Sequence, residues 1–197
     1  MTVRIYDIGI AKFVPGEDPE MDPGTIEKTP FAEVNEEGVR LMIEAIRSEK
    51  QTYKSGGAIH DIKVNGANIK IAFSTYDYSL DTMARALPYF EFDEENETLN
   101  FTVANGYSLR KNAYVFYATP LDVSDDSEDI IFYKGNVVND PEFTFHGVED
   151  QAYEVEVQAF PVTFLVDGKP KNKYGKIGSW EDEFIDNEGS FENQQSE

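Results

Sequence analysis

The chain contains no cysteine. Disulfides, thiolate nucleophiles and Cys-based metal sites are therefore excluded, and the redox compartment leaves no trace in the composition. Histidine is almost as scarce. His60 and His146 each lie in or beside an expected strand, and neither has a second His or Cys at ligand spacing, so no metal is expected. Long apolar runs are missing too. Nothing approaches the ~20 apolar residues that cross a bilayer, and Met1-Thr2-Val3-Arg4-Ile5-Tyr6-Asp7 lacks a signal-peptide core. The expectation is a soluble protein made in the cytoplasm, with no membrane attachment. Positive charge is in short supply: 17 Lys and Arg face 38 Asp and Glu, a net charge of -21. Gripping a phosphate backbone takes clustered cations that release counterions, and anionic membranes select the same feature. Conventional nucleic-acid binding is therefore disfavoured. G-x-S-x-G, P-loop and G-x-G-x-x-G motifs are all absent, so neither catalysis nor a cofactor is expected.

What the chain does have is apolar surface, 40% of its residues, with 14 Phe and 11 Tyr. That is enough for one core in one domain. The stretch from Ala58 to Phe90 organises it. Ile62 and Val64 alternate with Asp61, Lys63 and Asn65; Ile69, Ile71 and Phe73 alternate with Lys70 and Ala72. Asn65-Gly66 between the runs predicts a tight hairpin with positive φ. Period two ends at Ser79. Leu80, Met83, Ala84 and Leu87 then fall at helical spacing, with Ser79 as N-cap, Asp81 in the first turn, Arg85 in the last and Pro88 as stop. A short helix follows, with its apolar stripe expected on a sheet carrying Ile69, Ile71 and Phe73.

Around this unit the chain reads as short strands. Val3, Ile5, Ile8, Ile10 and Phe13 suggest the first. Pro15, Pro19, Pro23 and Pro30 make residues 14–30 a long excursion. In residues 31–53, Val39, Met42, Ile43 and Ile46 fit a helix, whereas Val39, Leu41, Ile43 and Ala45 fit a strand. Leu99, Phe101 and Val103 lead into Asn105-Gly106, a second hairpin signal. Strands are expected at Ala113–Ala118 and Ile130–Tyr133. Tyr153, Val155, Val157 and Ala159 alternate with Glu154, Glu156 and Gln158, and Asp167-Gly168 marks a third tight turn. Residues 179–197 carry no Lys or Arg and read as an acidic, disordered tail, leaving 1–178 as the domain. The fold class is mainly β: an antiparallel sandwich or barrel with one α-helix packed on it.

Several constellations could carry chemistry. Asp122, Ser124 and Asp126 begin like a calcium loop, but Ser127 stands where its Gly belongs and Tyr133 where its bidentate Glu belongs. Asp77 with Glu91, or Glu154 with Glu156, could be offered as hydrolytic carboxylate pairs; in so acidic a chain such pairs arise by chance. Tyr76, Tyr78, Tyr114 and Tyr117 could stack sugars in a carbohydrate-binding module, although strand aromatics more often pack or form interfaces.

Taken together, the order of segments resembles the major tail proteins of long-tailed, non-contractile phages, in particular those of Gram-positive hosts. The resemblance spans roughly Arg4 to Val162. R-I-Y-D-I-G-I-A-K-F opens it, a Pro/Gly-rich excursion follows, and a segment ending in Y-K-S-G-G leads to F-S-T-Y-D-Y-S-L-D-T-M-A-R-A-L-P. N-A-Y-V-F-Y-A-T-P-L is similar to the central strand of that family, and I-I-F-Y-K-G-N-V-V-N-D-P-E-F-T-F-H to its last hairpin. Leu87-Pro88 departs from the family, which often ends this helix with Leu-Gly. The resemblance implies that residues 38–53 are strand leading into a loop.

It also implies a structural virion protein, made in the host cytoplasm and residing in the tail. Six copies close a ring, and rings stack into a tube through which DNA passes without specific binding. Tape-measure, terminator and distal tail proteins are the implied partners. A ring of six would carry a formal charge of 6 × -21 = -126, so apolar contacts must overcome repulsion that salt screens over about 8 Å. Open sheet edges are expected to be completed by neighbouring copies. Val14, Met21, Ile26 and Phe31 are candidate anchors between subunits, and Glu154 and Glu156 candidate acids facing the channel. A terminator or neck protein of the same fold would stop at a single ring.

Overall fold

A computed structural model describes residues 6–11, 29–35, 37–51, 59–103, 105–122, 127–145, 151–166 and 169–178. In chain order the elements are β1 (Tyr6–Ala11), β2 (Thr29–Glu33), β3 (Val39–Gln51), β4 (Ile59–Thr75), α1 (Leu80–Ala86), β5 (Phe90–Asp93), β6 (Thr98–Val103), β7 (Tyr114–Pro120), β8 (Ile130–Val137), β9 (Tyr153–Ala159), β10 (Val162–Val166), β11 (Lys169–Lys173) and β12 (Gly175–Ile177). Among the described residues the fold is mainly β and antiparallel, with one helix, as the periodicity predicts. The main sheet runs β2-β1-β7-β8-β9-β4-β3, with β12 also on β8, while β5-β6 and β10-β11 are separate two-stranded sheets.

Burial explains the strand patterns. β9 reads buried-exposed along its length because one face is solvated. β7 and β8 are buried on nearly every residue, which is why Ile130-Ile131-Phe132-Tyr133 is an unbroken apolar run. Five steps along the sheet would separate β2 from β4 by about 24 Å if it were flat. Instead Phe31 of β2 meets Phe73 of β4 edge to face at 5.8 Å, and Phe116 of β7 lies 6.4 Å from Phe31. Asn35 N–H, just past β2, donates to Ser74 O at 2.9 Å. The sheet is therefore rolled into a barrel-like curve around a core that includes Ile8, Phe31, Ile71, Phe73, Phe116 and Val155.

The helix begins where the sequence places it. Ser79 caps it, its hydroxyl accepting from Thr82 N–H at 3.3 Å, with Asp81 and Arg85 in the first and last turns. The buried face differs from the expected stripe. Thr82, Met83, Ala86 and Leu87 are inside, Ala84 is half-buried, and Leu80 is 41% exposed. The cause is Thr82. Its hydroxyl reaches Phe31 O of β2 at 3.0 Å and Asp77 Oδ2 at 2.7 Å, which turns Leu80 outward.

Two of the Asn-Gly readings are corrected. Asn65-Gly66 is not a hairpin turn. β4 runs straight through it, paired with β3 from Phe73↔Val39 to Ile59↔Gln51. Asn-Gly permits a turn without enforcing one, and a thirteen-residue partner strand supplies ladder bonds on both sides of the pair. At Asn105-Gly106 the chain does turn, with Gly106 at φ 79, but the flanking strands β6 and β7 belong to different sheets. The hairpin that β6 forms is with β5, around Asp93, which accepts from Glu95 and Asn96 N–H. Asp167-Gly168 lies outside the described residues; β10 and β11 on either side of it pair from Val162↔Lys173 to Val166↔Lys169. The strand implied for residues 38–53 is β3. The expected tail at 179–197 lies outside the described residues.

Candidate assembly surface

The two rims of the main sheet are built from different residues and end differently. At the β2 rim, Phe31 O is met by the Thr82 hydroxyl and Pro30 O by the Arg85 guanidinium. Pro30 itself lacks an N–H, which suits an edge position. The cap is held by a network. Asp77 accepts from Ser79 N–H at 2.8 Å and from the Thr82 hydroxyl, and Tyr153 donates to Asp77 O at 2.6 Å. Burial works to raise the Asp77 pKa, but hydrogen bonds from Thr82 and Ser79 and the nearby Arg85 outweigh it and hold the carboxyl below its ordinary 3.8. The expectation that both rims wait for neighbouring copies is thus corrected for β2, which is capped by the subunit's own helix.

At the other rim β3 and β4 run on as a two-stranded ribbon. β9 pairs with β4 only from Lys70 to Thr75. Ala67 N–H, just beyond, donates to Tyr174 Oη at 3.3 Å. From there to Ile59, β4 has no described strand partner except β3, and the outer edge of β3 has none among the described residues. Directly opposed residues of an antiparallel pair share a face. The core face of the ribbon therefore follows Leu41, Ile43 and Ala45 on β3, and Ile71, Ile69 and Ala67 on β4.

Beyond Ala67, strict alternation would turn Val64 and Ile62 to the other side. The register shift at Ile46/Arg47 prevents this. Ile46 pairs with Gly66 and Arg47 with Val64, leaving Asn65 as the extra residue of a β-bulge. Val64 and Ile62 thereby stay on the face of Ile69, Ile71 and Phe73. The result is one apolar row that leaves the core and enters solvent. Ile71 is 0% exposed, Ile69 half-buried, Val64 65% and Ile62 52% exposed, with Ile43 on β3 at 66%.

The remaining expected site residues fall as follows. Ile71, Phe73, Met83 and Leu87 are core, as expected. Phe31, expected as an anchor between subunits, is 4% exposed inside its own subunit; a ring contacting both Phe73 and Phe116 cannot also reach a neighbour. Val14, Met21 and Ile26 lie outside the described residues. Glu154 and Glu156 do occupy the face opposite the core, but each meets a cation: Arg40 at 2.6 Å and Lys70 at 2.9 Å. Asp77 is committed to the helix cap, and Glu91 sits by an open depression beside Asp93, Glu94 and Glu95. His60 lies on β4, while His146 and the Ser124–Asp126 part of the calcium-like stretch lie outside the described residues. Among the described residues no helix is long and apolar enough to cross a membrane. Sequence reasoning missed the ribbon itself, because Asn65-Gly66 reads as its end. The equal apolar character of the runs on either side was the available signal.

A scan of protein-family models and a search of curated proteins both find no match. Among solved structures, one that matches is described as the tail of an empty GTA particle, from helical refinement with C6 symmetry. The likeness covers 77% of this chain and 89% of that chain, at 12% identity and a TM-score of 0.42.

Proposed function

We propose that this chain is a self-assembling, non-catalytic structural subunit of a phage tail. Copies close into rings, six to a ring, and the rings stack into the tube through which DNA travels; tape-measure, terminator and distal tail proteins are its partners in the virion. The observation that carries this reading is the β3-β4 ribbon. An apolar face continuous with the core leaves the subunit carrying Ile43, Ile62 and Val64 exposed, flanked by strand edges that have no partner among the described residues. Isolated subunits gain nothing from such a feature, which invites uncontrolled pairing. A second copy that covers it buries apolar surface at roughly 25 cal/mol per Å² and completes the ladder.

Charge supports the same reading. Residues 43–66 hold four Lys or Arg and three Asp or Glu, a net +1 within a chain of -21. This stretch is thus repelled by another copy less than the chain as a whole. Glu154 and Glu156 are each matched by a cation, so a channel wall made of their face is near neutral. Repulsion of DNA then rests on the other acids.

Negative-stain microscopy and sedimentation velocity of the concentrated protein over a range of salt test this. Rings and hollow tubes are expected, favoured by salt. A single closed ring that never elongates would identify a terminator-type subunit instead. Compact monomers under all conditions would overturn the proposal, and glycan binding by such monomers would favour a carbohydrate-binding module.

A further inference from the structure

Resting on that reading, we infer that the β5-β6 hairpin of one copy seats on the β10-β11 hairpin of the next, a contact separate from the ribbon. Each is a two-stranded sheet apart from the main one. β5-β6 lies against α1. Alternation and register put Phe90, Phe92, Leu99, Phe101 and Val103 on one of its faces. The Phe101 ring meets Phe90 edge to face at 5.3 Å, yet Phe101 is 76% and Val103 54% exposed. The turn at the tip is already ordered: Asp93 accepts from Glu95 and Asn96 N–H, each at 3.1 Å, and from the Asn96 amide at 2.7 Å. Little freedom is therefore lost there on contact.

Charge selects the occupant. Residues 90–103 carry Glu91, Asp93, Glu94, Glu95 and Glu97 and no Lys or Arg. The partner that fits such a face is apolar and cationic at once. Residues 162–177 hold Lys169, Lys171, Lys173 and Lys176 against Asp167, a net +3, and no stretch of that length elsewhere in the chain reaches this excess. The β10-β11 register sets Val162, Phe164 and Val166 opposite Lys173, Lys171 and Lys169, and directly opposed residues share a face. Thr163 and Asn172 hold the reverse face together, the hydroxyl donating to Asn172 Oδ1 at 3.0 Å. One face thus sets an apolar row on β10 beside a basic row on β11. More cations stand at its root. Arg110 donates to Pro161 O at 3.2 Å, and burial together with that guanidinium pushes the Lys134 amine below its ordinary 10.5. The ribbon is no rival: among its described residues Arg47, Lys50 and Lys63 are balanced by Glu44, Glu49 and Asp61.

Position makes the contact intermolecular. β5-β6 follows α1, whereas β10-β11 leaves the end of β9 and is tied to β8, with Phe160 N–H on Lys134 O at 2.7 Å and Tyr133 N–H on Tyr174 O at 3.1 Å. Phe101 and Val103 stay exposed within the subunit, so its own β10-β11 does not cover them. Each copy offers one hairpin of each kind. Such a contact is heterologous: it closes a ring where the rotation permits and propagates where it does not.

Charge reversal in the full chain tests this. Glu94→Lys/Glu95→Lys adds four to the net charge of -21, giving -17, and Lys169→Glu/Lys171→Glu subtracts four, giving -25. Each should raise the concentration needed for assembly about tenfold or more, read by sedimentation velocity. An equimolar mixture of the two, or all four substitutions in one chain, should restore it. If net charge alone governed association, the -17 variant would assemble better than wild type, and that result overturns the inference. A second readout needs no substitution. Carbodiimide treatment of assembled wild-type protein, mixed from isotope-labelled and unlabelled copies, should give mixed-isotope links between acids of residues 91–97 and lysines of residues 169–176. Links from those lysines to residues 179–197 in their place would make that segment the occupant and overturn the inference. If wild-type protein assembles and both double variants do so equally well, this inference fails alone. If wild-type protein never assembles, the functional reading fails with it.

Discussion

The two rims of one sheet teach opposite lessons about the same backbone problem. β2 and β3 each carry an outer edge that needs partners. The β2 edge is short, and helix side chains close it: Thr82 on Phe31 O, Arg85 on Pro30 O, with Asn35 bridging to Ser74. The β3 edge is thirteen residues long and has no strand partner among the described residues, beside an exposed apolar row. A finished rim belongs to folding. An unfinished one, maintained by a bulge that keeps Ile62 and Val64 facing the core side, belongs to association.

The sharpest way to break this comparison is to move the bulge. Inserting one Thr between Ile46 and Arg47 gives Asn65 a partner and restores strict pairing. Ile62 and Val64 then turn to the reverse face, with Asp61 and Lys63 in their place. Assembly should be lost completely, read by sedimentation, with the monomer's denaturant midpoint nearly unchanged. Deleting Asn65 also removes the bulge but leaves Val64 opposite Arg47, so it should assemble. If insertion and deletion behave alike, the apolar row is not what drives association.

Truncating one large apolar residue at each rim comes next. Phe31→Ala empties a site between Phe73 and Phe116 and should cost ~3–5 kcal/mol of monomer stability. Ile62→Ala on the ribbon should cost within about 0.5 kcal/mol, because its side chain already meets water. Equal losses in denaturant unfolding would erase the distinction between the rims.

A smaller effect separates the polar parts of the closed rim. Thr82→Val keeps the shape and removes the hydroxyl shared by Phe31 O and Asp77, at a cost of ~1–3 kcal/mol. The pH dependence sharpens it. The Asp77 pKa is lower folded than unfolded, so its contribution is present above pH 3.8 and is lost as pH falls through the folded value. Wild type should therefore shed stability below pH 3.8 more steeply than Thr82→Val.

Much of the closed half is legible in the sequence because its signals are local. Ser79, Asp81, Arg85 and Pro88 bracket a helix within ten residues, and β9 announces its two faces by strict alternation. The buried face of α1 is not legible, since it depends on where Phe31 O lies, fifty-one residues away in the chain. Phe31 is misread for the same reason: only the rolling of the sheet puts it beside Phe73. The ribbon is hidden by a conflict between levels. Asn65-Gly66 is locally a strong turn signal, and its role as a bulge exists only relative to Ile46 and Arg47. The pairing of Glu154 and Glu156 with Arg40 and Lys70 likewise needs the β4-β9 and β3-β4 registers, which alternation within one strand does not supply.

The smallest expected effect lies on the face opposite the core, where the two ion pairs differ in exposure. Lys70 and Glu156 are 35% and 27% exposed, Arg40 and Glu154 64% and 50%. Water screens the second pair more. A double-mutant cycle should give a coupling of ~0.5–1 kcal/mol for Lys70–Glu156 and ~0.2–0.5 kcal/mol for Arg40–Glu154, both shrinking as salt rises. Arg40 and Lys70 stand on β3 and β4, at the root of the ribbon, and Glu154 and Glu156 on β9 within the closed body. The pairs tie one to the other at little energetic gain. Their larger consequence is electrostatic: Glu154→Gln/Glu156→Gln removes two negative charges per subunit from that face and leaves Arg40 and Lys70 without these counter-charges. If assembled rings line their channel with it, the variant tube should retain short DNA at low salt where wild type does not. Equal retention by both would place the channel on another surface.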